Sequence, residues 1–100
     1  MFYNKEIEIW TKEKFHKDDI GEIRYKPPKL VKILMVDVQP YSSEEALKDY
    51  GFTVECSKRI FMDIENVYIN THFIQYRNRE FEITKIIEWD DYLEVMVNNV

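Results

Sequence analysis

Between Leu30 and Val38 the apolar positions do not alternate. Val31, Ile33 and Met35 point to one side of an extended chain, and Leu30, Leu34, Val36 and Val38 point to the other. A strand that is apolar on both faces is covered on both faces. The second cover is either a short helix that follows or another protein. Gln39-Pro40-Tyr41 turns the chain, and residues 43–50 read as that helix. Ser42 and Glu45 fit a capping box, Glu44 and Glu45 suit the positive end of the helix dipole, and Gly51 supplies a left-handed stop. A helix of about two turns cannot stand alone, so Ala46, Leu47 and Tyr50 are expected to dock it on a sheet. Phe52 to Met62 reads as one long strand, with Phe52, Val54, Cys56, Ile60 and Met62 in phase. Lys58 marks where it bends or leaves the core.

Shorter elements surround this unit. Lys5–Trp10 alternates as a half-buried strand. Thr11–Glu22 is charged, with isolated Phe15 and Ile20, and reads as a mobile loop. Glu22–Tyr25 reads as a short strand that Pro27 and Pro28 stop, since neither can donate to a ladder. Asp63–Asn66 breaks the chain and Val67–Ile69 reads as a brief extended piece. Thr71–Tyr76 and Glu80–Ile87 form a hairpin about Arg77-Asn78-Arg79, where Asn tolerates a positive φ, and a phase slip at Thr84-Lys85 predicts a bulge. Asp90-Asp91, capped by Trp89, turns into a last strand, Tyr92–Val97. Six or seven strands with one short helix predict a mainly β fold, a small antiparallel β-barrel or sandwich, in one domain spanning residues 1–100. Closure into a barrel also removes sheet edges.

Composition sharpens this picture. The chain has 100 residues, 45% hydrophobic and 15% aromatic, with only two glycines, which suits one globular, strand-rich core. A net charge of −5 argues against nucleic-acid binding as the main task. It is compatible with lining a path along which DNA slides without sticking. The N-terminus lacks the apolar run of a signal peptide, and no stretch is long and uncharged enough to cross a bilayer, so a soluble intracellular protein is expected.

Candidate chemistry is sparse. The single cysteine, Cys56, excludes an intrachain disulfide and reads as a core thiol. Asp18-Asp19 and Asp90-Asp91 read as turn formers rather than a catalytic carboxylate pair. His16 reads as solvated and His72 as a strand histidine with no nucleophile beside it. There is no glycine-rich phosphate loop and no metal-spaced His/Cys set, so neither enzyme activity nor a cofactor or metal is expected. Tyr76-Arg77-Asn78-Arg79-Glu80-Phe81 interleaves cations with aromatics. It supports a competing reading as a nucleic-acid-binding barrel that uses Arg77 and Arg79.

The order of elements resembles the phage head–tail connector family, also called head-closure or stopper proteins. The resemblance is carried by Ile33–Pro40, Ser42-Ser43-Glu44-Glu45-Ala46, Tyr50-Gly51, Lys58-Arg59-Ile60-Phe61 and the hairpin Ile74-Gln75-Tyr76-Arg77-Asn78-Arg79-Glu80-Phe81-Glu82-Ile83. The Thr11–Glu22 stretch and the Pro27-Pro28 insert depart from the family pattern. The resemblance implies a non-enzymatic β-barrel that assembles as a ring below a portal and adaptor. Such a ring closes the capsid exit, docks the tail, and resides in the virion after synthesis in the host cytoplasm. Its implied partners are copies of itself, portal or adaptor proteins and tail proteins, with DNA passing by without specific binding and no membrane. A tail-completion or tail-terminator role is the near rival. Exposure and aromatic content nominate Phe15, Ile20, Lys26, Lys29, Tyr41 and Tyr50 as contact residues.

Overall fold

Two prolines divide the N-terminal third of the chain. Before them lie β1 (Lys5–Thr11), β2 (Lys14–Lys17) and β3 (Ile23–Lys26); after them runs β4 (Lys29–Pro40). Then follow α1 (Ser43–Tyr50), β5 (Lys58–Met62), β6 (His72–Tyr76), β7 (Arg79–Glu88) and β8 (Leu93–Asn99). The structure, a computed structural model, describes residues 3–12, 14–17, 21 and 23–100, with the backbone alone over 14–17 and 23–26.

Six strands close an antiparallel barrel in the order β1-β4-β5-β8-β7-β6, and β6 returns to β1. The mainly β reading of the sequence therefore holds, in its barrel form. Inward-facing residues of alternate positions fill the interior: Ile7, Ile9, Val36, Ile60, Met62, Ile74, Phe81, Ile83, Leu93, Val95 and Val97 are all buried there. The segment between β5 and β6 crosses one end of the barrel and inserts Val67, which is 5% exposed. Burying one such side chain contributes about 1.5–3 kcal/mol.

Within the charged stretch Thr11–Glu22, expected to be a loop, Lys14–Lys17 forms a strand. β2 pairs with β3 alone, from Lys14↔Lys26 to Lys17↔Ile23, as a two-stranded sheet outside the barrel. It follows directly on the β1–β4 ladder, which ends at Thr11↔Lys29. A ribbon outside the barrel has no core to face, so its sequence carries no alternating signal. The molecule measures 51 × 28 × 27 Å.

Phe52–Ser57 is a second correction. It has no ladder partner, and strand pairing begins at Lys58. Val54 and Cys56 keep the alternate phase because they face the helix, not a neighbouring strand. The Val67–Ile69 piece likewise has no ladder. The β6–β7 turn is the expected one, with Arg77 at φ 52° and Asn78 at φ 62°, and the β7 register shifts between Ile83 and Lys85. That bulge turns Ile86 inward and Ile87 toward the helix.

Candidate functional site

α1 is held as its sequence dictates. The Ser42 hydroxyl accepts from the Glu45 N–H at 3.1 Å, and Gly51, at φ 78°, returns its N–H to Leu47. The helix lies on the outer side of β7 and β8, where Ala46, Val54, Cys56, Tyr41 and Met96 form a second buried cluster with Tyr50, Phe52 and Ile87 against it. Ala46 and Tyr50 dock as expected, but Leu47 is exposed.

Beneath the helix sits a buried carboxylate. Glu94 is 1% exposed. The Tyr50 hydroxyl donates to it at 2.7 Å, Trp89 Nε1 donates at 3.2 Å, and Arg59 Nη1 stands 3.6 Å away. Arg59 also stacks 4.2 Å over the Tyr41 ring and donates to Gln39 at 3.1 Å. The Tyr41 hydroxyl donates to Asp49 at 2.7 Å. Burial and the bond to Glu94 push the Tyr50 phenol up to about 12, and burial with the bond to Asp49 raises Tyr41 further. Burial also pushes the Cys56 thiol up, away from the reactive thiolate. Each donor is committed to an internal acceptor, so this cluster locks the helix down.

The opposite situation holds on β4. Val31, Ile33 and Met35 point outward and are 50%, 51% and 53% exposed. A bulge at Val31 puts Leu30 opposite Trp10, on the same outer side, where it is 40% exposed. The phase read from the sequence had placed Leu30 on the side of Leu34, Val36 and Val38; the extra residue in β4 puts it on the other. Beside this stripe, β1 sets Glu6 opposite Met35 and Glu8 opposite Ile33. Trp10 closes that row, bonded to Glu8 at 2.8 Å and stacked on Phe73.

β4 also has an open edge. It pairs with β1 over Lys29–Val36 but with β5 only over Asp37–Pro40. Among the described residues, no strand meets its other edge below Asp37. A Lys32–Glu65 ion pair spans that gap to the crossing segment. The crossing segment adds Ile64, Tyr68 and Ile69 to the exposed apolar surface.

The nominated contact residues separate. Lys29 opens β4, exposed, its N–H donating to the Thr11 hydroxyl. Phe15 and Lys26 lie in β2 and β3, where the backbone alone is described, and Ile20 lies outside the described residues. Tyr41 is 3% exposed and bonded internally, so it offers no free surface, and Tyr50 is half-buried under the helix end. Val31, Ile33 and Met35 were not nominated, although their shared phase was visible in the sequence. His72 is buried, and its Nδ1 accepts from the Tyr68 N–H at 3.0 Å. No group of three or more His, Cys, Asp or Glu among the described residues is arranged to hold a metal ion.

No family model matches the sequence, and no curated protein matches it. Among solved structures, the fold is similar to the solution structure of protein SF1141 from Shigella flexneri 2a. The TM-score is 0.73 at 20% identity, over 96% of this chain and 91% of that one. At this identity the likeness concerns the fold alone.

Proposed function

We propose that this protein is a non-enzymatic structural subunit of a phage or prophage head–tail junction. In this reading it forms a ring below the portal and adaptor, closes the capsid exit and docks the tail. One observation carries the reading: the outward stripe of β4, apolar and flanked by an open strand edge. Contiguous exposed apolar surface marks a protein contact, and an unpaired edge is a template for another chain's strand. The carboxylates Glu6 and Glu8 beside the stripe favour a partner that brings apolar side chains and cations together. The resemblance noted in the sequence supplies the identity of that partner class.

The test is a pull-down with the cognate portal and adaptor proteins as bait. The wild-type chain is expected to be retained, and the double variant Ile33→Thr/Met35→Thr to be lost while keeping its far-ultraviolet circular dichroism. Retention on tail-tube bait instead assigns a tail-completion role. Retention on neither, or equal retention of the variant, overturns the reading.

A further inference from the structure

The barrel has two unlike ends. The crossing segment and the β2–β3 ribbon belong to the end marked by Thr11↔His72 and Met62↔Leu93. The other end is marked by Pro40↔Lys58, Phe81↔Asn99 and Tyr76↔Arg79. There a cleft of about 460 Å³ is walled by Lys58, Arg77 and Arg79 together with Ser57, Tyr76 and Asn99. No carboxylate of the described residues lines it. Three cations therefore share one concavity in a chain whose net charge is −5.

Lys32 and Arg59 each face a carboxylate, Glu65 and Glu94. Among the described residues Lys58, Arg77 and Arg79 face none. Glu80, next in the chain to Arg79, lines an adjoining depression that shares Arg79 and Asn99 with the cleft. Arg77 rests over the Tyr76 ring at 5.1 Å, which fixes its guanidinium at the cleft rim without neutralising it. Arg77 is presented by a tight hairpin turn in which Arg77 and Asn78 both hold positive φ. Ser57 belongs to the cleft wall, but its hydroxyl oxygen is closed to solvent and has no hydrogen-bond partner among the described residues.

We infer that Lys58, Arg77 and Arg79, with the Asn99 amide, form a cradle for phosphate groups, and that its natural occupant is the backbone of a nucleic acid held without regard to sequence. The guanidinium forks match phosphate oxygens in pairs, and the lysine adds a point charge. A grip on phosphate carries no sequence information, so binding through these cations is indifferent to base order. The cradle stands independently of the assembly reading, since none of its residues belongs to the β4 stripe.

Two probes test it at low salt: inorganic phosphate, followed by amide chemical shifts, and a fluorescein-labelled oligothymidylate, followed by anisotropy. Phosphate is expected to shift the amides of Lys58, Arg77, Arg79 and Asn99 and to leave α1 unmoved. The oligonucleotide is expected to bind with a log–log salt slope of about −2, from about −0.7 for each of three phosphates, or about 20-fold weaker at fourfold higher salt. Lys58→Glu/Arg79→Glu should abolish both signals, whereas Lys48→Glu on the exposed helix face should change neither. Binding of phosphate without the oligonucleotide keeps the cradle and assigns it to small phosphates. Shifts confined to other residues, binding that survives the double reversal, or no binding of either probe overturns the inference.

Discussion

The barrel wall carries two apolar outer faces, and the chain treats them differently. Over β7 and β8, Met96 and Ile87 are roofed by α1 and the Phe52–Cys56 segment. Over β4, Val31, Ile33 and Met35 are half-exposed, with no roof among the described residues. The difference is one of fittings, not hydrophobicity. The roofed face has a capped helix, a glycine stop and a satisfied carboxylate beneath. The bare face has a free strand edge and a row of glutamates. In the assembly reading proposed above, the unroofed face is the one that meets another chain.

Substitutions at the two faces should separate stability from association. The largest effect is expected at Met96, 0% exposed between helix and barrel. Met96→Ala should cost about 3 kcal/mol in guanidinium denaturation, through lost burial and the cavity left behind. Next comes Glu94→Ala, which strands the Tyr50 hydroxyl, the Trp89 N–H and one side of Arg59. A cost of about 2 kcal/mol is expected by the same measurement.

The roofed face should also give the fold its alkaline limit. The Tyr50 phenol titrates near 12 in the folded chain, against an ordinary value of 10.0. A raised folded value means that the protonated phenol stabilises the fold. That contribution is complete below pH 10 and is lost as pH rises toward 12. The denaturation midpoint should fall over that window, and Tyr50→Phe should flatten the fall. Smallest of all is the bare face: Ile33→Thr/Met35→Thr should change stability by no more than about 1 kcal/mol. A cost near that of Met96→Ala would show the stripe to be internal packing and would erase the contrast.

Local chemistry was legible in the sequence. The Ser42 cap, the Gly51 stop, the Asn78 turn and the bulge beside Thr84 each rest on neighbours within a few residues, and all are present. What depended on distant partners was not. Phe52–Cys56 has the phase of a strand but meets a helix, and phase alone does not say which. β2 is a strand only because β3 pairs with it. Tyr41 looked like a surface aromatic because the sequence cannot show Arg59 stacked on its ring. The apolar second face of β4 was visible from the start. Its want of a roof became plain only with the helix placed over β8.

The plugged interior has a further consequence. Core side chains occupy the cylinder along its length, and Val67 stoppers one end. A single copy therefore has no bore. If DNA travels past this protein, the conduit must be a gap enclosed by several copies. Its width would then follow from how many stand around it, and its lining from their outer walls and loops.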